Sequence, residues 1–229
     1  MGHSVVRHLR VEVEAYDASI RQFIPDYETM LAETARCVAE SSAEHILDLG
    51  AGTGALSEAV LAQCPQCRVE LIDTDGGMLD QARERLRPYR PRVRFTRRRF
   101  QGALPQCDAV VASLALHHVP TLSEKRTVYG AIHAALEAEG VFVNADANMP
   151  ADAIQQRAAY TTWAAHLVAS GIPEPRAWGH FREWADEDTY LPLDDELGAL
   201  TAAGFSPARV WQSVPINVVK STKTPDPRT

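Results

Sequence analysis

Cysteines and long apolar runs are scarce in this 229-residue sequence. Four scattered cysteines are too few for a disulfide framework. Cys64 and Cys67 have C-x-x-C spacing, but the second pair that a zinc site would need does not exist in the sequence. No apolar run reaches the roughly 18 residues that cross a bilayer, and the first 20 residues mix charged side chains with isolated valines, unlike a signal peptide. We therefore expect a cytoplasmic protein without membrane partners.

Lysine is also scarce, with 3 residues against 20 arginines, and the formal net charge is −7. This charge argues against indiscriminate binding to nucleic acid. One segment is strongly cationic although the whole chain is acidic: Arg83 to Arg99 contains nine arginines and a single acid, Glu84. A solvated helix face and edge strand is the favoured interpretation, and a docking patch for an anionic macromolecule is the alternative.

The most informative stretch runs from Glu44 to Leu56, EHILDLGAGTGAL. Its apolar residues predict a buried parallel strand, and a helical pattern begins at Ala55. Between them, Gly50, Gly52 and Gly54 allow the backbone to approach a ligand closely, because no Cβ intervenes and positive φ costs little. Such a turn suits a nucleotide-like cofactor. Both a dinucleotide and S-adenosyl-L-methionine (SAM) are candidates, since Gly50-x-Gly52-x-x-Ala55 also fits the relaxed dinucleotide fingerprint.

Further motifs discriminate between a dinucleotide and SAM as the cofactor. Asp48 to Gly54 resembles the first motif of class I SAM-dependent methyltransferases in full, and Leu71 to Leu79 resembles their second motif, in which Asp73 closes a strand. Asp73 alone does not discriminate, because NAD enzymes also need a carboxylate for the ribose hydroxyls. The fourth strand, Asp108 to Ser113, continues into LALHHV (Leu114 to Val119), a pattern familiar from small methyltransferases. The chain is therefore similar to small-molecule class I methyltransferases, and its N-terminal stretch resembles the carboxy-S-adenosylmethionine (carboxy-SAM) synthase branch.

The resemblance implies an α/β fold: a Rossmann-like seven-stranded, mostly parallel sheet with helices on both faces, an antiparallel C-terminal strand and a helical cap. We expect a single domain over residues 1–229. Its expected parts are N-terminal lid helices (15–43), a SAM-binding core (44–148), the helical cap (149–191), a C-terminal helix with antiparallel strands (192–220) and a disordered tail (221–229).

Cofactor residues follow from the same resemblance, at the positions that match its motifs. They are Tyr27, Asp48, Gly50, Ala51, Gly52, Gly54, Asp73, Thr74, Met78, Arg99, Phe100 and Ser113. Most class I methyltransferases carry an acid after the third strand that binds adenine, whereas this sequence has three arginines and Phe100 there. We therefore expect adenine to be held by backbone groups and by stacking on Phe100.

Two histidines and an aromatic cap are the candidates for the chemistry. His117 and His118 follow the fourth strand, and an imidazole near its ordinary pKa can accept a proton from the methyl acceptor. Alternatively, one histidine caps a buried carbonyl and the other only lines the pocket. The predicted substrate-pocket residues are Tyr16, Tyr160, Trp163, His166 and Trp184, although aromatic residues at helical spacing also form a cap's own core.

The expected function is methyl transfer from SAM to a small-molecule acceptor, at O, N or S, in an enclosed pocket, with S-adenosyl-L-homocysteine as the product. No metal is expected, because magnesium-dependent catechol methyltransferases need acids after both strand four and strand five, and only the second position offers any, Asp146 with Asn148. A tRNA-linked SAM or carboxy-SAM enzyme is the alternative, weakened because Leu197 to Ala203 contains no arginine. A SAM-binding module without catalysis is a third hypothesis. We expect a monomer or homodimer and no nucleic-acid partner.

Overall fold

The computed structural model describes residues 15–224, so residues 1–14 and 225–229 lie outside the description that follows. The α-helices are α1 (Tyr16–Phe23), α2 (Tyr27–Ala39), α3 (Ala55–Gln63), α4 (Gly76–Arg85), α5 (Leu122–Ala135), α6 (Ala153–Ala169), α7 (Glu174–Trp184) and α8 (Leu193–Ala202). The strands are β1 (His45–Leu49), β2 (Arg68–Asp73), β3 (Val93–Arg97), β4 (Cys107–Ser113), β5 (Leu136–Ala147), β6 (Phe205–Ser213) and β7 (Ile216–Lys223). Each helix within residues 15–224 is too short or too polar to span a bilayer.

One seven-stranded sheet, in the order β3-β2-β1-β4-β5-β7-β6, organises these elements. β1 to β5 pair in parallel, and β7 runs antiparallel to both of its neighbours, β5 and β6. The strand order reverses between β1 and β4, which is where open parallel sheets bind ligands, outside the carboxyl ends of their strands. The predicted fold class is confirmed, including the antiparallel C-terminal strand.

Alternation along the strands produces the two helical layers. In β1, Ile46 packs into the cluster that contains α2 and α3, whereas Leu47 and Leu49 pack on the opposite face with α5. Successive side chains of a strand point to opposite faces, so a continuous apolar run is buried on both. With both faces covered, the loops at the carboxyl edge of the sheet are free to carry functional groups.

The predicted boundary of the disordered tail, at residue 221, lies too early. β7 extends through Lys223, because Ser221 is buried and Thr222 pairs with Val141 on one side and Ser206 on the other. A polar segment becomes ordered when partner strands on both sides take up its backbone hydrogen bonds. The prediction for residues 225–229 lies outside the described part of the chain.

A buried ion pair joins α5 to α8. Lys125 donates to Glu196, with both side chains almost fully buried. The hydroxyl of Tyr129 donates to the other Glu196 oxygen at 2.7 Å. A buried charge that loses its partner is costly, whereas replacing both charges together need not be.

We expect Lys125→Met to lower the free energy of unfolding by about 3–5 kcal/mol, because Glu196 would remain buried without its cation. The double variant Lys125→Met with Glu196→Gln should recover most of that loss, since the amide oxygen can still accept from Tyr129. Urea unfolding followed by circular dichroism measures both variants. Equal destabilisation of the two would contradict the electrostatic explanation and leave packing as the contribution of Lys125.

Candidate active site

The glycine loop between β1 and α3 has a left-handed backbone at its three glycines, with φ of 69°, 54° and 78° at Gly50, Gly52 and Gly54. Two of them are required by packing within the protein. A Cβ on Gly50 would lie 2.5 Å from the Cβ of Ala115, in the loop after β4. A Cβ on Gly54 would lie 3.2 Å from Ala82 of α4. Gly54 therefore serves helix packing, and it is the one predicted cofactor residue that does not line the cavity described below.

Gly52 is the glycine that opens towards a ligand. A Cβ there would meet the Met78 methyl at 3.4 Å and no other atom within 4 Å. The Gly52 amide donates to Asp73 Oδ2 at 2.8 Å, and the Asp75 amide donates to Asp73 Oδ1 at 2.8 Å. Burial raises the pKa of Asp73 despite these two hydrogen bonds. Because each carboxylate oxygen has a second lone pair, Asp73 can still accept hydrogen bonds from a ligand.

Asp48, at the end of β1, is buried beneath the glycine loop and lines the same cavity. The Ser57 hydroxyl donates to Asp48 Oδ2 at 2.6 Å. Burial raises the pKa of Asp48 to about 7; the Ser57 hydrogen bond opposes this rise, and the negative charge of Asp73 adds to it. A cation bound in the cavity would favour the ionised form of Asp48.

Helix α1 is fastened to the glycine loop by charge. Asp17 of α1 accepts a hydrogen bond from the Thr53 hydroxyl at 2.7 Å and pairs with Arg85 at the end of α4. Arg85 also donates to the Thr53 carbonyl at 3.0 Å and lies 3.4 Å from Glu58 of α3. These contacts hold Tyr16, the neighbour of Asp17, in the cavity wall.

A cavity of about 290 Å³ opens at the carboxyl edge of the sheet, between the glycine loop, α1, α2 and the cap helices α6 and α7. Eleven of the twelve predicted cofactor residues line it. They are Tyr27, Asp48, Gly50, Ala51, Gly52, Asp73, Thr74, Met78, Arg99, Phe100 and Ser113.

The predicted substrate-pocket residues divide into two groups. Tyr16, Trp163 and Trp184 line the cavity, but Tyr160 and His166 do not. Tyr160 packs within the cap, with its ring centroid 5.2 Å from that of Phe181. His166 lies beside the backbone of Gln22 and near Asp26, in the connection between α1 and α2. Both predictions are wrong because these side chains join helices to one another, as the alternative interpretation of the aromatic spacing allowed.

His117 is buried against the end of β5. Its Nδ1 lies 2.5 Å from Asp146 Oδ1, and Asp146 Oδ2 accepts from the backbone amides of Leu116 and His117, both at 3.0 Å. Burial alone lowers the pKa of His117, but the negative charges of Asp146 and then Asp188 outweigh it, and the pKa is raised overall. Burial raises the pKa of Asp146, but the charge of His117 and its hydrogen bond have a larger effect, so the pKa of Asp146 is lowered overall. The pair is therefore stable in its ionised form.

His118 faces a carboxylate from the opposite side of the cavity. Its Nδ1 lies 3.1 Å from Asp188 Oδ1, and His117 Nε2 lies 3.6 Å from the same oxygen. The Tyr190 hydroxyl donates to Asp188 Oδ2 at 2.5 Å. The Thr189 amide donates to the His117 carbonyl at 2.8 Å, which joins this segment to the histidine turn. Both predicted histidines thus line the cavity, in contact with an acid that follows the cap helices.

Asp188 and Tyr190 are among the cavity residues that the sequence did not predict as site residues, and both contact the histidines. Asp188 belongs to a run of acids after α7, and no local motif distinguishes it from its exposed neighbours Asp186 and Glu187. Only the path of the chain from α7 to α8 brings it to the histidines. With His117 and His118 it forms a group whose polar atoms lie within 4.8 Å of one another, close enough to hold a metal ion. The 3.1 Å separation from His118 is also that of a direct ion pair between imidazole and carboxylate, whereas 3.6 Å from His117 exceeds hydrogen-bond distance.

Residues 47–142 match a family model described as a methyltransferase domain. The matched segment contains the glycine loop, Asp73 and both histidines. The sheet order and this match support a class I methyltransferase domain. The narrower resemblance to the carboxy-SAM synthase branch is not confirmed by the comparisons.

Similarity to individual proteins is partial. A segment of 66 residues is 39% identical to trans-aconitate 2-methyltransferase from Paracidovorax citrulli (strain AAC00-1), covering 29% of this chain and 24% of that protein. An O-methyltransferase family protein from Burkholderia thailandensis aligns with 93% of this chain and 59% of its own, at 18% identity and a TM-score of 0.70. Human N-acetylserotonin methyltransferase aligns with 98% of this chain and 63% of its own, at 15% identity and a TM-score of 0.60. At these identities the two structures share the fold, and this chain spans less than two thirds of each relative.

The stability that the ion pair of His117 and Asp146 contributes should be lost both at alkaline pH and at acidic pH. The pKa of His117 is raised, so its contribution is complete below the ordinary value of 6.5 and is lost as the pH rises through the raised folded-state pKa. The pKa of Asp146 is lowered, so its contribution is complete above the ordinary value of 3.8 and is lost as the pH falls through the lowered folded-state pKa. The difference in Tm between wild type and His117→Gln should therefore be largest between those limits.

His133 provides a matched control for this measurement. Burial lowers its pKa, so any stability it contributes persists at alkaline pH and is lost on acidification. His133→Gln should consequently show no alkaline loss. A His117→Gln difference that is constant from pH 5 to 9 would contradict the ionised Asp146–His117 pair.

Proposed function

We propose that this protein is a SAM-dependent methyltransferase that transfers a methyl group to an O, N or S atom of a small molecule in an enclosed pocket. One observation carries the proposal: the glycine loop with Asp73 and the histidine pair with Asp188 line the same cavity. A cofactor on the loop and an acceptor beside the histidines would therefore meet. A cytoplasmic location and a monomeric or homodimeric state remain parts of the proposal.

The cavity residues fit SAM. Gly52 leaves open space that a side chain would fill, and Asp73 keeps lone pairs for the ribose hydroxyls. A ring carbon of Phe100 lies 3.7 Å from the position of a Gly50 Cβ, so its ring is available for stacking on adenine beside the loop. When bound, SAM supplies an electrophilic methyl group on a positively charged sulfur.

The chain's own contribution to methyl transfer is alignment, exclusion of water and removal of a proton. The lid and the cap close the cavity on two sides. Because His118 Nδ1 faces Asp188, its Nε2 is the nitrogen that would accept a proton from the acceptor. The negative charge of Asp188, 3.1 Å from Nδ1, would stabilise the imidazolium that forms. His117 is less suited, since Asp146 and Asp188 approach both of its nitrogens. This proton transfer requires no metal.

The tRNA-linked alternative receives little support from the arginine stretch, because several of its arginines are used within the protein. Arg92 donates to the carbonyls of Leu61 and Cys64 at the end of α3. Arg83 and Arg85 pair with carboxylates of Asp80 and Asp17. A SAM-binding module without catalysis would also bind SAM in the first experiment below, and it is distinguished from an enzyme by the turnover measured in the second.

Gly52→Val should abolish SAM binding, because the branched side chain would occupy the space beside Met78. Gly171→Val is the matched control: Gly171 also has a positive φ, 93°, but it is exposed and lies after α6, with open space around its Cα. Both variants place a branched residue at a positive φ, but only Gly52→Val fills the space of the proposed ligand. Isothermal titration calorimetry with SAM measures the effect, and unchanged affinity in Gly52→Val would remove the basis of the proposal.

His118→Ala should lower kcat by roughly 10²-fold or more, the usual contribution of a positioned base. Tyr190→Phe, which removes only a hydrogen bond to Asp188, should lower kcat by roughly fivefold. Production of S-adenosyl-L-homocysteine with an identified acceptor measures both. Wild-type kcat in His118→Ala at every pH would mean that transfer depends on alignment alone and that the acceptor needs no base.

A further inference from the structure

The end of the cavity beyond the glycine loop is walled by aromatic rings. The lining rings at this end are those of Phe23 from α1, Trp163 and Trp184 from the cap, and Tyr190. They form a continuous wall: the Phe23 and Trp184 rings meet edge to face with centroids 5.1 Å apart, the Trp184 and Trp163 centroids lie 5.5 Å apart, and the Trp163 and Tyr190 rings meet edge to face at 5.7 Å. The indole nitrogen of Trp163 in α6 donates to the Phe23 carbonyl at 2.6 Å, which joins the cap to helix α1. Flat apolar groups are what such a wall accommodates.

The charged groups at this end are two acids, Asp146 and Asp188, and the His117 imidazolium that faces both of them. Asp188 lies within the cavity wall and Asp146 lies directly behind His117. Among the described residues that line the cavity, Arg99 is the one arginine or lysine, and it precedes Phe100, which lies against the glycine loop. The acceptor end therefore combines two buried carboxylates with imidazoles and offers no guanidinium or ammonium group within the described lining.

This charge distribution bears on which acceptors can bind. A carboxylate placed beside Asp188 would be a like charge in a buried site whose imidazolium, His117, already faces two carboxylates. A carboxylate acceptor is also already ionised at neutral pH, so His118 would have no proton to remove. A neutral hydroxyl meets neither difficulty, and a phenol, with a pKa near 10, is the most acidic of the common hydroxyls.

We propose that the acceptor is a neutral phenol-type hydroxyl on a small flat ring, and that Asp188 selects against carboxylate acceptors. This inference rests on the proposed methyltransferase function. The hydroxyl proton moves to His118 Nε2, and the hydroxyl oxygen forms a bond to the methyl carbon. The bond between methyl and sulfur breaks with its electron pair remaining on sulfur, which gives a methyl ether and the neutral thioether S-adenosyl-L-homocysteine.

The test uses a pair of ligands that differ in one group, 4-methylphenol and 4-methylbenzoate. Calorimetry on the wild-type protein saturated with S-adenosyl-L-homocysteine should give at least about tenfold tighter binding of the phenol, a difference of about 1.4 kcal/mol. Mass spectrometry of the full reaction with SAM should then detect the methyl ether in amounts equal to S-adenosyl-L-homocysteine.

Two variants test the role of Asp188. Asp188→Asn preserves shape and removes the negative charge, so it should tighten benzoate binding about tenfold and reduce the preference for the phenol. Asp186→Asn is the matched control, because Asp186 lies on the same segment but is exposed and outside the cavity wall. It should leave both affinities unchanged.

The outcomes separate this inference from the function on which it rests. Failure of S-adenosyl-L-homocysteine and SAM to bind would overturn the proposed function and the inference with it. If the cofactor product binds while the benzoate binds more tightly than the phenol, or while the phenol does not bind, the substrate class is wrong and the proposed function stands. An unchanged preference in Asp188→Asn would remove Asp188 as the selecting group.

Discussion

The candidate site depends on a buried histidine held between two carboxylates. His117 contacts Asp146 from β5 with one ring nitrogen and faces Asp188, from the segment after the cap, with the other. An imidazole between two acids is favoured in its charged form, and removal of that charge would leave two carboxylates close together without a cation. The contact therefore joins the sheet to the segment after the cap. It also holds Asp188 next to His118 Nδ1.

The remaining walls are held by polar contacts between distant parts of the chain. Asp17 brings α1 to the glycine loop through Thr53 and Arg85, while Trp163 fixes the cap to α1 by donating to the Phe23 carbonyl. The sheet is ordered by its own hydrogen bonds and apolar layers, but the lid and the cap need these specific contacts to define a cavity. The site is thus assembled at the meeting of three separate structural units.

The sequence was sufficient for features that depend on local pattern. The glycine loop, Asp73 and the two histidines were predicted because strand ends and tight turns have local signatures, and all of them line the cavity except Gly54, which packs on α4. Tertiary packing explains the failures. Whether an aromatic residue of the cap faces the cavity or its own helices is decided by how the helices pack, which placed Tyr160 and His166 outside. Asp188 had no local signal, since its partner lies 70 residues earlier, at His118.

The same carboxylates can keep the charge in the cavity balanced during the proposed reaction. Asp48 and Asp73 lie beside the loop that would hold a positively charged sulfonium. Burial raises the pKa of both carboxyl groups, and a bound cation would favour their ionised forms. Methyl transfer removes the positive charge from sulfur, but the proton taken from a neutral hydroxyl restores one positive charge on His118, beside Asp188. The net charge of the site would therefore be unchanged, and positive charge would move from the carboxylates at the loop to the carboxylates at the cap. An acceptor that was already anionic would instead add a negative charge beside Asp146 and Asp188. The proposed base, His118, and the charge distribution therefore favour the same neutral acceptor.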